Sequence, residues 1–213
     1  MMPKNRVEAF SDGVIAVAIT LLALDLPIPD PATTPDLAHT LGVHWPSFAA
    51  FGLSFLTIGI IWINHHAMLR RIARVDHTTL ILNILLLMSI CLLPFSTALL
   101  ADYLTASHGQ RLAGAIYGGS LLLMALGFIA VQRHVLVVRP DLLHAGISEE
   151  TRRQVLKRNR FGMLPYVVAT AGAALSAYLT FAISLAIAVY YAAPSTNADL
   201  GEWGDGAEDG ASG

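Results

Sequence analysis

One carboxylate in this sequence stands where carboxylates are costly. Asp12 lies in the run Arg6-Val-Glu-Ala-Phe10-Ser11-Asp12-Gly13-Val-Ile-Ala-Val17-Ala-Ile-Thr20-Leu21-Leu-Ala-Leu24, which carries no other charge after Glu8. Ionisable side chains inside an apolar span mark ion or proton pathways, or they are paired and fix helix packing. Polar side chains that could meet Asp12 recur along the chain. Asn64, His65 and His66 follow Trp62; His77 and Asn83 come next, then Gln132 and His134. Two chemistries fit that set: a buried hydrogen-bonded layer that satisfies Asp12, and a cation or proton site that uses Asp12 with the histidines.

Other chemistries are excluded by residue type and spacing. His65 and His66 are adjacent, so on a helix they point about 100° apart, whereas paired metal ligands favour i, i+4. No bound metal is expected. Cys91 is the single cysteine and sits among Leu and Ile, which rules out a disulfide framework and a Cys-rich metal site. Ser11 lacks the strand–turn–helix elbow of a nucleophilic serine, and no Gly-rich loop ending in Gly-Lys-Ser/Thr exists to hold phosphate. Neither an enzyme nor a cofactor is expected. The formal net charge of −2, with basic residues confined to short loops, gives no reason to expect a nucleic-acid partner.

The elements that must position these residues follow from charge distribution. Only 13% of the 213 residues are charged and 55% are hydrophobic, against about 25% charged in a typical globular chain. Residues 45–69, 77–101, 112–132 and 161–198 contain no Asp, Glu, Lys or Arg. Such runs read as transmembrane helices in a lipid bilayer. A first helix capped at Ser11 or Asp12 would be too short to cross, so it is expected to begin at Asn5, with Glu8 completing a capping-box-like pattern and Pro27 ending it. Asp12 is then about 9 Å inside the span.

The expected fold is an all-α membrane protein of six spans, at about 6–26, 46–66, 77–100, 111–132, 161–175 and 177–193. Pro94 should kink the third, and 161–193 is too long for one span. Lys4, Arg6, Arg70, Arg71, Arg74, Arg133, Arg139, Arg152, Arg153, Lys157, Arg158 and Arg160 then share one side, leaving Arg111 alone on the other. By the positive-inside rule both termini are cytosolic. Residues 148–160 read as a short basic helix capped by Ser148. Residues 1–193 are expected to form one six-helix membrane domain, and 194–213 an acidic tail expected to be disordered.

A helical wheel separates two faces of the first span. Gly13, Val17, Thr20 and Leu24 make a narrow stripe bordered by Leu21, and Asp12 lies about 100° away from it. The stripe could face lipid, pack on a neighbouring helix, or meet copies of itself to line an apolar pore that gates by dewetting.

The residues Arg6-x3-Phe10-Ser11-Asp12-Gly13-Val14 and Ala16-x-Ala18-x-Thr20-Leu21-Leu22, with Trp62-Ile-Asn64-His65-His66, Asn83-x3-Leu87 and Leu93-Pro94-Phe95, resemble the signature of the endosomal/lysosomal-type potassium channel family in its prokaryotic form. The resemblance implies six-helix subunits assembled as a homotetramer around a pore lined by the first helix. It implies a narrow point at Val17, smaller than the Ile or Leu usual there. It further implies a threonine layer at Thr20, where K+ would pass, and apolar rings at Leu21 and Leu24. Arg6, Phe10, Ser11, Asp12, Trp62, Asn64, His65, His66, His77 and Asn83 would form the structural network holding that helix. The function it implies is passive conduction of K+, and of other monovalent cations less readily, across a bacterial plasma membrane. Asp30, Asp36 and Asp102 would lie at the outer mouth. The alternative is a proton-conducting or proton-coupled transporter using Asp12 and the His/Asn layer.

Overall fold

The structure, a computed structural model, describes residues 3–192 apart from the side chains of Arg158 and Asn159. The expected tail at 194–213 lies outside the described residues. Helix α1 spans Lys4–Leu21 and continues as a 3₁₀ turn over Leu22–Asp25. It begins one residue before Asn5 and has no side-chain cap. Pro3, with φ −60° and ψ 133°, sets the entry, while Asn5 Oδ1 accepts the next residue's N–H at 3.1 Å. Proline's fixed φ already suits a helix start, so the capping box is not needed.

A short helix that hydropathy does not announce, α2 (Leu37–Val43), follows; Asp36 caps it by accepting the His39 N–H. The long α3 runs Trp45–Arg70, with Pro46 in its first turn. Pro94 does more than kink the next span. It stops α4 (His77–Cys91) and starts α5 (Leu93–Tyr103), because proline has no N–H to bond back and its ring crowds the preceding turn. Helix α6 covers Gln110–Arg133 and relaxes into a π turn at His134–Val138. The basic helix α7 is Glu149–Gly162, its Thr151 N–H held by Ser148 Oγ at 3.1 Å. The last apolar block divides into α8 (Leu164–Gly172) and α9 (Ala177–Ala192).

Four stretches of the described residues are long and apolar enough to cross a membrane: Lys4–Asp25, Trp45–Arg70, His77–Tyr103 and Gln110–Val138. Helix α6 is the hub, packing on α4, α5, α8 and α9, whereas α1 rests chiefly on α3 and α4 at the edge of the bundle. Close approach at the hub depends on glycine. Gly114 and Gly118 stand one turn apart on α6. A Cβ on Gly114 would lie 3.1 Å from the Ala177 Cα, and one on Gly118 would lie 2.9 Å from the Thr170 Cα. This is the small-xxx-small contact by which helices approach in lipid, where apolar burial drives association weakly. Beside it, Ser54 Oγ accepts from Thr97 Oγ1 at 2.7 Å and lies 3.1 Å from the buried Tyr117 hydroxyl, joining α3, α5 and α6.

The basic ends of these helices are tied by their loops. Ala73 and Arg74 N–H groups donate to the Leu142 carbonyl, and His144 N–H donates to that of Arg71. Ile72 and Leu143 thereby pair as a single antiparallel bridge.

The glycine contact yields a contrast between neighbours. Gly118→Ala should destabilise the folded chain by about 1–3 kcal/mol through overpacking. Gly119→Ala, with nothing within 4 Å of its added Cβ, should be neutral or stabilise by up to about 1 kcal/mol. Thermal unfolding of the two purified variants in detergent checks the difference.

Candidate functional site on the first helix

Helix α1 has two distinct faces. Val7, Ser11, Ile15, Ala18 and Leu22 are buried against the bundle, while Phe10, Gly13, Val17, Thr20, Leu21 and Leu24 are exposed. Val17, near the middle of the span, is 57% exposed, and Leu24, in its closing 3₁₀ turn, 77%. The sequence stripe and the exposed face therefore coincide. Thr20 differs from its apolar neighbours: its hydroxyl donates to the Val17 carbonyl at 2.9 Å, so oxygen lone pairs rather than the proton remain for anything in front of it.

The opposite side of α1 is fastened by hydrogen bonds. Asn83 on α4 donates from Nδ2 to Ser11 Oγ at 2.9 Å, and Asn83 Oδ1 lies 2.9 Å from His65 Nε2 on α3. With the amide oriented this way, Oδ1 can only accept, so His65 is the Nε2–H tautomer. All three residues are buried. His65 Nδ1 is also buried, with no hydrogen-bond partner among the described residues, and the ring meets Phe128 edge-on at 6.2 Å. One position along α1, half-buried Asp12 accepts from Trp62 Nε1 at 2.9 Å.

The polar set thus separates into distinct groups. Asp12 bonds Trp62 and not a histidine. His66, exposed, has its ring 6.2 Å from that of Trp62. Asn64 turns away, donating to its own Ile60 carbonyl and facing a cavity between α3, α6, α8 and α9 that Gln132 also lines. His77 is exposed at the first position of α4, and Arg6 is exposed at the start of α1. His134 joins a cluster that hydropathy alone does not disclose.

That cluster centres on Asp76, which caps α4. Its Oδ1 accepts from the Thr79 N–H at 2.8 Å and the Thr79 hydroxyl at 2.6 Å. His134 Nε2 is 3.1 Å from Oδ2, and Arg139 Nη1 donates to Oδ2 at 3.3 Å. Arg139 also grips Asp141 with two bonds of 2.9 Å, and Arg74 donates to the Asp141 carbonyl at 3.0 Å. Burial would raise the Asp76 carboxyl, but the bonds from Thr79 and then His134 outweigh it and hold it down at about 2. The signal available in the sequence was Asp76-x-x-Thr79 opening an apolar run, a capping pattern. At the other end of α1, Asp25 and Asp102 line a small niche of about 20 Å³ beside Ser47 and Thr97. Asp30 is engaged in its own turn and Asp36 in capping α2. Among the described residues no group of three or more His, Cys, Asp or Glu could hold a metal.

Comparison with known proteins places this arrangement. Residues 6–94, which carry α3, α4, nearly all of α1, the Ser11–Asn83–His65 chain and the Asp12–Trp62 bond, match the family model described as endosomal/lysosomal potassium channel TMEM175. A potassium channel of Streptomyces collinus is 41% identical over 191 residues, covering 90% of this chain and 92% of its own. The chain belongs to the TMEM175 family. The crystal structure of a lysosomal potassium-selective channel TMEM175 homolog from Chamaesiphon minutus superposes with a TM-score of 0.78 at 37% identity, covering 89% of this chain and 96% of that one. The endosomal/lysosomal proton channel TMEM175 of Gallus gallus is 36% identical over 117 residues, 51% of this chain and 23% of the relative. As a TMEM175 member the chain is an ion-channel relative and a membrane protein rather than an enzyme.

Two measurements test the polar groups of this TMEM175 chain. Asn83→Ala leaves Ser11 and His65 without their shared partner, and each orphaned buried group costs about 1–3 kcal/mol. Ser11→Ala should cost less, because Asn83 keeps His65; thermal unfolding of both variants gives the order. For Asp76, a carboxyl held at about 2 instead of 3.8 contributes stability that is complete above roughly pH 4 and is lost as pH falls toward 2. The stability gap between the native chain and Asp76→Asn should therefore narrow across that window, as read from unfolding temperatures at each pH.

Proposed function

We propose that the chain is one subunit of a homotetrameric, potassium-permeable cation channel of a bacterial plasma membrane. Each subunit crosses the membrane six times, through α1, α3, the α4–α5 pair, α6, the 161–175 stretch that contains α8, and α9, with both termini cytosolic and the basic loop ends inside. The exposed face of α1 carries this reading. A spanning helix at the bundle edge, hydrogen-bonded on one side and apolar with one hydroxyl on the other, suits a pore lined by several copies of itself.

Cations would enter near the Asp25 and Asp102 carboxylates, whose negative potential concentrates them modestly in water. They would then pass Leu24, Leu21, Thr20 and Val17. The 3₁₀ turn at the end of α1 matters here. At three residues per turn, Leu24 stands over Leu21 rather than drifting around the helix. Leu24, Leu21 and Val17 supply apolar rings that empty of water when narrow. Thr20 supplies oxygen lone pairs for a K+ ion in transit, since its proton is tied to Val17. No backbone-carbonyl filter resides in this path, so selectivity for K+ over Na+ is expected to be moderate. Proton conduction through Asp12 and the histidines has less support: the Asp12 carboxylate bonds an indole, and His65 Nδ1 has no hydrogen-bond partner among the described residues to continue a relay.

Purified protein in planar bilayers should show discrete unitary currents that reverse near the potassium potential. Slow, saturable flux without unitary steps would overturn the channel reading. In a Cys91→Ser background, Val17→Cys and Leu24→Cys should react with aqueous thiol reagents and block current, while Ile15→Cys and Ile19→Cys should not. Equal reactivity of the four would refute the pore-lining stripe.

A further inference from the structure

The basic helix α7 packs on α6, on the π turn that follows it and on α8. Val155 is buried in that contact, and Arg152 Nη1 donates to the Leu136 carbonyl at 3.3 Å. Leu136 belongs to the closing turn of Gln110–Val138, a stretch able to cross a membrane, so α7 lies at the level where that span ends. On the side opposite Val155, spaced i, i+4, i+7 and i+8, Arg153, Lys157, Arg160 and Phe161 are all exposed. Met163, with φ −75° and ψ −30°, carries helical backbone across to α8, whose first residue, Leu164, extends the row. Phe161 is 65% exposed and Leu164 60%. Glu149 and Glu150 stand in the first turn of α7, at the end far from Phe161. Glu149 lies 3.6 Å from Arg153 in an exposed pair, while Lys157 and Arg160 form no ion pair among the described residues. Along this outer face the side chains change from acidic to basic to apolar as the chain approaches α8.

The order of these groups fits one class of partner. An acidic peptide or a nucleic acid would match the cations and leave Phe161 and Leu164 bare in water. A phospholipid of negative charge offers both counterparts in the same order, a phosphate at the surface and acyl chains below it. Lysine and arginine suit that boundary because their aliphatic stems lie on apolar ground while the charged heads reach the polar layer. Basic helices with Phe and Leu on the same surface settle at the interface in proportion to its anionic lipid. We propose that the outer face of α7 is a binding site for anionic phospholipids of the adjoining leaflet. Arg153, Lys157 and Arg160 meet the headgroup phosphates, and Phe161 and Leu164 rest against the upper acyl chains. This binding does not depend on what the chain conducts.

The test uses the full chain with Cys91→Ser and Leu164→Cys, the new thiol labelled with bimane, in vesicles of mixed phosphatidylglycerol and phosphatidylcholine. In one set the phosphatidylglycerol bears a nitroxide near the top of an acyl chain, and in the other the phosphatidylcholine does. The nitroxide quenches bimane at close range, so the two sets report which lipid occupies the face. Phosphatidylglycerol should be preferred by about fivefold or more, what one cation contributes at an anionic surface. Arg153→Gln, Lys157→Gln and Arg160→Gln together should bring the preference within about twofold, and so should about 1 M salt on the unsubstituted face, where screening acts over about 3 Å. Should the triple variant fail to fold, the salt series decides. Equal quenching by both lipids, or a preference indifferent to the substitutions or to salt, overturns the proposal. So does absence of quenching by either lipid, as would follow from the acidic segment 194–213 or an acidic protein covering the face.

Discussion

Hydrogen bonds between helices, rather than apolar burial, decide where α1 sits. Lipid tails are as apolar as leucine, so a leucine-rich helix gains little by leaving them for a protein neighbour. A buried amide or hydroxyl gains a great deal by finding its partner. The Ser11–Asn83–His65 chain and the Asp12–Trp62 bond therefore fix both the position and the rotation of α1 against α3 and α4. Once the rotation is fixed, the opposite face is fixed too. Val17, Thr20, Leu21 and Leu24 point away from the helix bundle because Ser11, Ile15 and Ala18 point into it.

The basic ends of the bundle follow the same logic on the side exposed to water. Arg139 bridges Asp76 and Asp141, so the cap of α4 and the loop after α6 share one guanidinium. Exposed ion pairs contribute little by themselves. Here the arrangement is supported by the Ile72–Leu143 bridge and by the two Thr79 bonds to Asp76, which hold the carboxylate before Arg139 reaches it.

Much of this was legible in the sequence, for definite reasons. The stripe of α1 could be drawn because helical pitch is constant over a run as short as Gly13 to Leu24, and the exposed side chains lie where it places them. The polar layer was visible as a set of residues, but its pairing was not. Nothing in one dimension says that Asn83 chooses Ser11 and His65 while Asp12 chooses Trp62, since all lie within reach once the helices pack. Helix α2 escaped notice because seven residues give too little periodicity. Asp76 did so because charge at a span's edge resembles ordinary solvated loop, and its bonds to His134 and Arg139 join positions about sixty residues apart. The break at Pro94 was read as a bend, although a proline in a helix's second position begins a new helix as readily as it bends an old one.

Gly114 and Gly118 press α6 against α8 and α9 at one level, while the alanine-lined cavity separates the same helices nearer the basic end. Mechanically this is a pair of tongs. The contact at Ala177 is the pivot and α9 the arm, reaching roughly 21 Å to Tyr191 at 1.5 Å per residue. A tilt of only about 3° at the pivot moves the tip of that arm by roughly 1 Å, a displacement of the size by which packed helices slide past one another. The close contact at the hub and the gap at the basic end thus lie near opposite ends of one helix, where a given tilt would have its least and its greatest effect.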